Sequence, residues 1–181
     1  MNDLLKQLAS VYEEMESAYK QIGVLLDFSC DGCPDNCCDS FFLHHTYIEW
    51  AYLWQGFSAL PQTKQDEYRE RARQYVRNRE QAFTKCEQPQ EMCPINDTGL
   101  CGLYKHRLMI CRLHGVPASL TNPAGQSKTF PGCFRCQELT KDKTNLPTMD
   151  RTKFFQTMVQ IEQTVLAAQL HKLRRVKMTL A

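Results

Sequence analysis

Four cysteines within nine positions, in CDGCPDNCC at residues 30–38, constrain this chain more than any other feature. Ten cysteines occur among its 181 residues. In a small secreted chain such density means a disulfide framework, whereas in a reducing compartment it means metal ligands or redox chemistry. The N-terminus, MNDLLKQLASVYEEMESAYK, has acids scattered through it, no uninterrupted apolar stretch and no small-residue cleavage site, so it does not read as a secretory leader. The most apolar run, FFLHHTYIEWAYLWQGFSAL, carries two His, a Glu and a Gln, and is not read as a membrane span. The expectation is a cytoplasmic protein without a membrane partner, whose clustered thiols bind metal.

The spacings sharpen that expectation. Cys30-x2-Cys33 and Cys133-x2-Cys136 are knuckles, the spacing that lets two thiolates of one turn reach a single ion. Between them lie Cys86, Cys93, Cys101 and Cys111. Thiolate donors select zinc, copper(I) or iron–sulfur clusters and exclude calcium and magnesium. Cys37 and Cys38 are adjacent, and in extended backbone successive side chains point opposite ways. They therefore serve two different centres, or one ligates while the other packs or reacts. Eight or more cysteines suffice for two four-thiolate sites, or for one [4Fe-4S] cluster and a second metal. The competing readings are a redox dithiol, a disulfide and plain buried cysteines, and about one or two of the ten are expected in the core. His44, His45, His106 and His114 are candidate mixed ligands, but thiolates in surplus make them dispensable, and His114 is the best placed.

Elsewhere the chain reads as mostly α-helical: a single domain, 1–181, in which a helical bundle carries an irregular, loop-rich metal-binding lobe at 28–40 and 86–147. Leu4, Leu8, Val11, Met15, Ala18, Ile22 and Leu25 alternate steps of four and three, predicting a helix over 3–27 capped by Asn2 or Asp3. The aromatic run predicts a second helix over 41–60, apolar on every side and so central to a bundle. Pro61 ends it, and Thr63 with Asp66 starts a polar helix over 63–85, with Arg69, Arg73 and Arg77 as one exposed stripe. Between 86 and 147, prolines and glycines break any long period, and only GLYKHRLMICRLHG reads as a short helix, stopped by Gly115. The last helix, about 150–178, buries Phe154, Met158, Ile161, Val165, Leu166, Leu170 and Leu173, and its basic end, HKLRRVK, suits a helix C-terminus.

The cluster at 30–38, the lone Cys93, and C101-GLYKHRLMI-C111-R resemble the CxxCxxCC, or YkgJ-type, cysteine-cluster family, described as zinc- or iron-chelating proteins. That family's C-x-I-Y-x-x-R-P-x-x-C-R pattern is matched at Leu103, Tyr104, Arg107, Cys111 and Arg112, with Leu108 where proline is common. Three residues, rather than the family's two, separate Cys33 from Cys37, and Cys86 is additional. The resemblance spans 30–136 and leaves the flanking helices outside it. It implies Cys30, Cys33, Cys37, Cys38, Cys93, Cys101 and Cys111 as ligands, with an eighth from Cys133 or Cys136. It also gives Arg107 and Arg112 a role in compensating thiolate charge, and Tyr104 that of packing or of donating to sulfur. A similar cluster occurs in a flagellin lysine methylase associated with an iron–sulfur cluster.

No GxxxxGK or GxGxxG nucleotide loop occurs, nor a C-x3-C-x2-C spacing of the radical-SAM kind, and no nucleophile–base pair stands out. A net charge of +2 and the Glu67, Glu70 and Glu80 interleaved with the arginines argue against nucleic acid. The expected function is a metal-binding protein with a cysteine-ligated iron–sulfur cluster, [4Fe-4S] first, in electron transfer or as an accessory to a modification enzyme. The alternatives are a zinc-stabilised binding module with a protein partner, or a thiol-based metal-trafficking protein that keeps Cys86 or Cys136 free. The irregular spacings, the vicinal pair and the arginines favour iron–sulfur, and the two knuckles favour zinc.

Overall fold

The computed structural model describes residues 1–30, 37–87, 90–168 and 177–180. Cys33, Leu170, Leu173 and most of the basic HKLRRVK segment lie outside the described residues. The fold is mostly α, with small sheets. The chain divides into two compact units: Met1–Asp35 with Met109–Lys172, and Asn36–Leu108 with Leu173–Ala181.

The first unit is built on α1 (Asn2–Leu26), which packs against α4 (Met109–Leu113) and α6 (Thr152–Ala168). The buried face of α1 is Leu8, Val11, Tyr12, Met15 and Leu26. Leu25, expected inside, is 68% exposed. A strict three-and-four alternation drifts around a 3.6-residue helix, so by the last turn the inward position has moved to Leu26. No side chain caps α1, whose N-cap is Met1 rather than Asn2 or Asp3. It ends at Asp27 in left-handed backbone, with the Phe28 N–H on the Gly23 carbonyl (2.8 Å). In α6, Phe154, Met158, Ile161 and Val165 are buried, one per turn.

Between α4 and α6 the chain forms β3 (Ala118–Thr121), β4 (Ser127–Phe130), α5 (Phe134–Thr140) and β5 (Met149–Asp150), preceded in chain order by a hairpin, β1 and β2, of the second unit. β3 is the central strand, antiparallel to β4 and parallel to β5. This sheet was not expected. Its signal is TNPAGQS, where Asn122 Oδ1 accepts the N–H groups of Ala124 and Gln126 and closes the turn. Arg151 is buried, with its guanidinium donating to the Leu113 carbonyl and lying over the Phe130 ring. Desolvation there lowers its pKa to about 10.

The second unit contains α2 (Tyr47–Ser58), α3 (Gln62–Thr84), and the hairpin of β1 (Asn96–Asp97) and β2 (Leu100–Cys101). The helix expected over 41–60 is shorter: Phe41–Thr46 is not helical, and His44 instead pairs backbone with Met178. Nor is α2 buried on every side, since Trp54 is 60% exposed. Pro61, not Thr63, stands at the N-cap of α3, and no side chain caps it. The core is Leu53, Phe57, Tyr68, Ile95, Leu103 and Leu108, with Trp50, Leu60, Cys93, Cys101 and Leu180 packed against it. The arginine stripe is charge-compensated, Arg69 by Asp66, and Arg73 and Arg77 by Glu70. No helix among the described residues is long and apolar enough to cross a membrane.

Candidate metal centre

None of the nine described cysteines is in a disulfide. Cys30, Cys111, Cys133 and Cys136 belong to the first compact unit, and Cys37, Cys38, Cys86, Cys93 and Cys101 to the second.

In the second unit, Cys37 and Cys38 lie in a 3₁₀ turn, Cys37–Asp39, not in extended backbone. Two adjacent side chains there are not forced to opposite sides, and the two thiols hydrogen-bond each other. The Cys93 N–H donates to the Cys38 carbonyl (2.9 Å), and the Asn96 N–H donates to the Cys93 carbonyl (2.9 Å). Asn96 in turn pairs with Cys101 across the hairpin. These backbone bonds therefore string Cys38, Cys93, Asn96 and Cys101 together. The Asn96 amide oxygen accepts the Gly99 N–H (2.9 Å), which leaves Nδ2 buried without a partner by hydrogen-bond geometry, next to Cys38. An orphaned buried donor beside a thiol suits a thiolate acceptor.

The electrostatics differ within this set. The Cys38 pKa is lowered to about 6, chiefly by the hydrogen bond from Cys37, with Asn96 and Arg107 assisting against burial and Asp39. The Cys93 thiol is pushed up to about 12, mainly by burial, and further by the neighbouring Cys38 and Cys101. Cys38 is thus the more readily deprotonated of the two.

Polar anchors on α3 hold the hairpin. Tyr68 donates to Asp97 (2.5 Å), and Lys64 and Arg71 ion-pair with the same carboxylate (3.1 and 2.9 Å). Arg71 also donates to the Asn96 carbonyl (2.8 Å). The Asp97 carboxyl is held below the usual range first by Tyr68, then by Lys64 and Arg71.

In the first unit the set is Cys30, Cys111, Cys133 and Cys136. The Tyr19 hydroxyl and the Cys30 sulfur are 3.8 Å apart, and either can donate. Tyr19 also lies against Gly115, where a Cβ would overlap its hydroxyl and where φ is +128°. The Gly115 carbonyl accepts the Cys133 N–H (2.8 Å). At Gly132, with φ +91°, a Cβ would stand 2.6 Å from that carbonyl oxygen and 3.3 Å from the Cys136 Cβ. Glycine at both positions therefore lets the 133–136 knuckle close onto the chain that Tyr19 and Cys30 approach. Cys136 is fully buried, and burial raises its pKa, with Cys133 and Cys30 adding to the rise and Lys143 opposing it. Cys111 lies on α4.

The remaining candidates are placed as follows. The Arg107 guanidinium lies 3.9 Å from the Tyr104 ring centroid and helps lower the Cys38 pKa. Arg112 is buried, with its guanidinium 4.1 Å from the Tyr12 ring centroid. Cys86 is exposed at the end of α3, in left-handed backbone with φ +58°. His44 is buried against Trp50, and desolvation lowers its pKa to about 4. His106 lies on Tyr52 at 4.7 Å between ring centroids, and His45 is exposed. Tyr19 and Asn96 were not anticipated, because neither belongs to a spacing pattern and only the fold brings them to sulfur.

Among the described residues, no three His, Cys, Asp or Glu side chains are grouped closely enough to hold one metal ion. Cys93 is within electrostatic reach of Cys38 and Cys101, and Cys136 of Cys133 and Cys30. Comparison with known proteins returns no matching family profile, no matching curated protein and no matching solved structure.

Proposed function

We propose that this is a metal-binding protein whose cysteines hold an iron–sulfur cluster, and that it transfers electrons or assists a modification enzyme. The observation that carries the reading is the chain of contacts from Cys38 through Cys93 and Asn96 to Cys101, with a buried amide donor beside Cys38, whose pKa is lowered. The donor set is soft and sulfur-only, which suits iron–sulfur. The resemblance of 30–136 to cysteine-cluster proteins supports the same reading. When bound, such a cluster supplies one-electron redox chemistry. The protein's residues would ligate through sulfur, and Asn96 and Arg107 would donate to or offset the thiolate charge, raising the reduction potential. Cys93 would release its proton on binding, so loading strengthens as pH rises.

The 133–136 knuckle at the start of α5 favours a second reading, zinc in a structural role. Anaerobic purification followed by an absorption spectrum and elemental analysis separates the two. A brown protein with iron and sulfide supports the cluster. A colourless protein with zinc supports the structural reading, and a protein with neither metal defeats both.

A further inference from the structure

We infer that the second unit carries a docking groove for an extended peptide, and that the chain's own residues 178–180 occupy it as a separable ligand rather than as part of the core. Metal takes no part in this docking. The segment and every residue it touches belong to the same compact unit.

Each residue of the segment is recognised by a different chemistry. Met178 is held by backbone: the His44 N–H donates to its carbonyl (2.8 Å), and its own N–H donates to the His44 carbonyl (3.1 Å). This is the antiparallel pairing by which a strand edge takes up an extended peptide. The Met178 side chain is exposed, so nothing there selects it. Thr179 is held by its hydroxyl, which accepts from Arg79 Nη1 on α3 (3.1 Å), and the residue is only 3% exposed. Leu180 packs its aliphatic side chain against the core cluster that contains Leu53 and Ile95. The groove itself is assembled without the segment. Its two walls, 41–46 and α3, meet through the Phe41 and Phe83 rings, edge-on at 5.9 Å. The Arg79 guanidinium lies 6.0 Å from the Phe83 ring centroid, and the His44 ring meets Trp50 of α2 edge-on at 6.0 Å. Walls joined to each other and to α2 are preformed, and a three-residue contact can open without unfolding what surrounds it. Ser40 alone separates the 41–46 wall from the Cys37–Asp39 turn, so a filled groove steadies one flank of the adjacent cysteines.

The test is hydrogen–deuterium exchange with mass spectrometry on the full-length protein, wild type and Leu180→Asp, with and without a synthetic peptide of residues 175–181. Leu180→Asp sets a charge where an aliphatic side chain meets the core, which releases the segment. The expected result is exchange over 40–46 about tenfold faster in the variant, with α3 and the β1–β2 hairpin unchanged. The wild-type peptide should bind the variant one to one and restore the lost protection. The same peptide carrying Thr179→Val should need a concentration about tenfold higher. Unchanged exchange over 40–46 overturns the docking. Protection lost through α3 as well, or a loss that the peptide does not reverse, makes the segment part of the core and overturns the inference too. Should Leu180→Asp not fold, full-length Thr179→Val removes only the Arg79 bond and is read in the same way. Faster exchange over 40–46 that the wild-type peptide reverses supports the groove, and unchanged or irreversible exchange overturns it.

Discussion

The two units position similar thiols by different means. In the first, close backbone packing does it: two glycines allow the 133–136 knuckle to sit against the Gly115 carbonyl. In the second, charge does it: Tyr68, Lys64 and Arg71 of α3 hold Asp97 and Asn96, and so hold the hairpin that carries Cys101. Tight packing resists deformation, whereas a half-exposed ion-pair network is screened by salt and adapts. The first set should therefore be the more rigid and the less sensitive to solution conditions.

The largest effect expected from breaking this comparison is at Gly115. Gly115→Val would place a branched side chain at φ +128° and onto the Tyr19 hydroxyl, costing about 4 kcal/mol of stability. Thermal unfolding should show the loss.

Acid comes next, acting on the second unit through His44. Its folded-state pKa of about 4 lies below the ordinary 6.5, so the unfolded chain takes up a proton in that interval and the folded chain does not. Stability is full above pH 6.5, falls as pH drops towards 4, and levels off below, by up to about 3 kcal/mol. Denaturant titrations across that range check it, with His44→Phe expected to flatten the dependence.

Asp97→Ala removes the acceptor of Tyr68 and the partner of two cations, costing about 2 kcal/mol and weakening metal at the Cys93 set about tenfold. A metal-competition titration reads that change, and unaltered affinity would remove the α3 anchor from the comparison. The smallest effect is expected at the exposed Lys153–Glu14 pair of the first unit, where Glu14→Ala should shift stability by only about 0.3 kcal/mol.

Much of this was readable from residues alone, and the failures have physical causes. The α1 seam through Leu8, Val11 and Met15 follows from periodicity, because helical packing is local in sequence. Phe41–Thr46 misled because its aromatics look helical, whereas the backbone partner of His44 is Met178, a pairing that leaves no local period. The β3–β4 hairpin has its sign in the Asn122 and Gly125 turn, which the neighbouring prolines obscure. The knuckle spacing is the ground on which soft-metal chemistry is proposed. The division of the cysteines between units, and the approach of Asn96 and Tyr19 to sulfur, depend on tertiary contacts that no spacing encodes.

The central claim is that sulfur alone surrounds the metal. X-ray absorption fine structure, at the edges of whatever iron or zinc the anaerobically purified full-length protein carries, measures that directly. The account predicts a first shell of sulfur only, at ~2.3 Å for zinc. A first shell of nitrogen or oxygen at ~2.0–2.2 Å, with no sulfur, would contradict it.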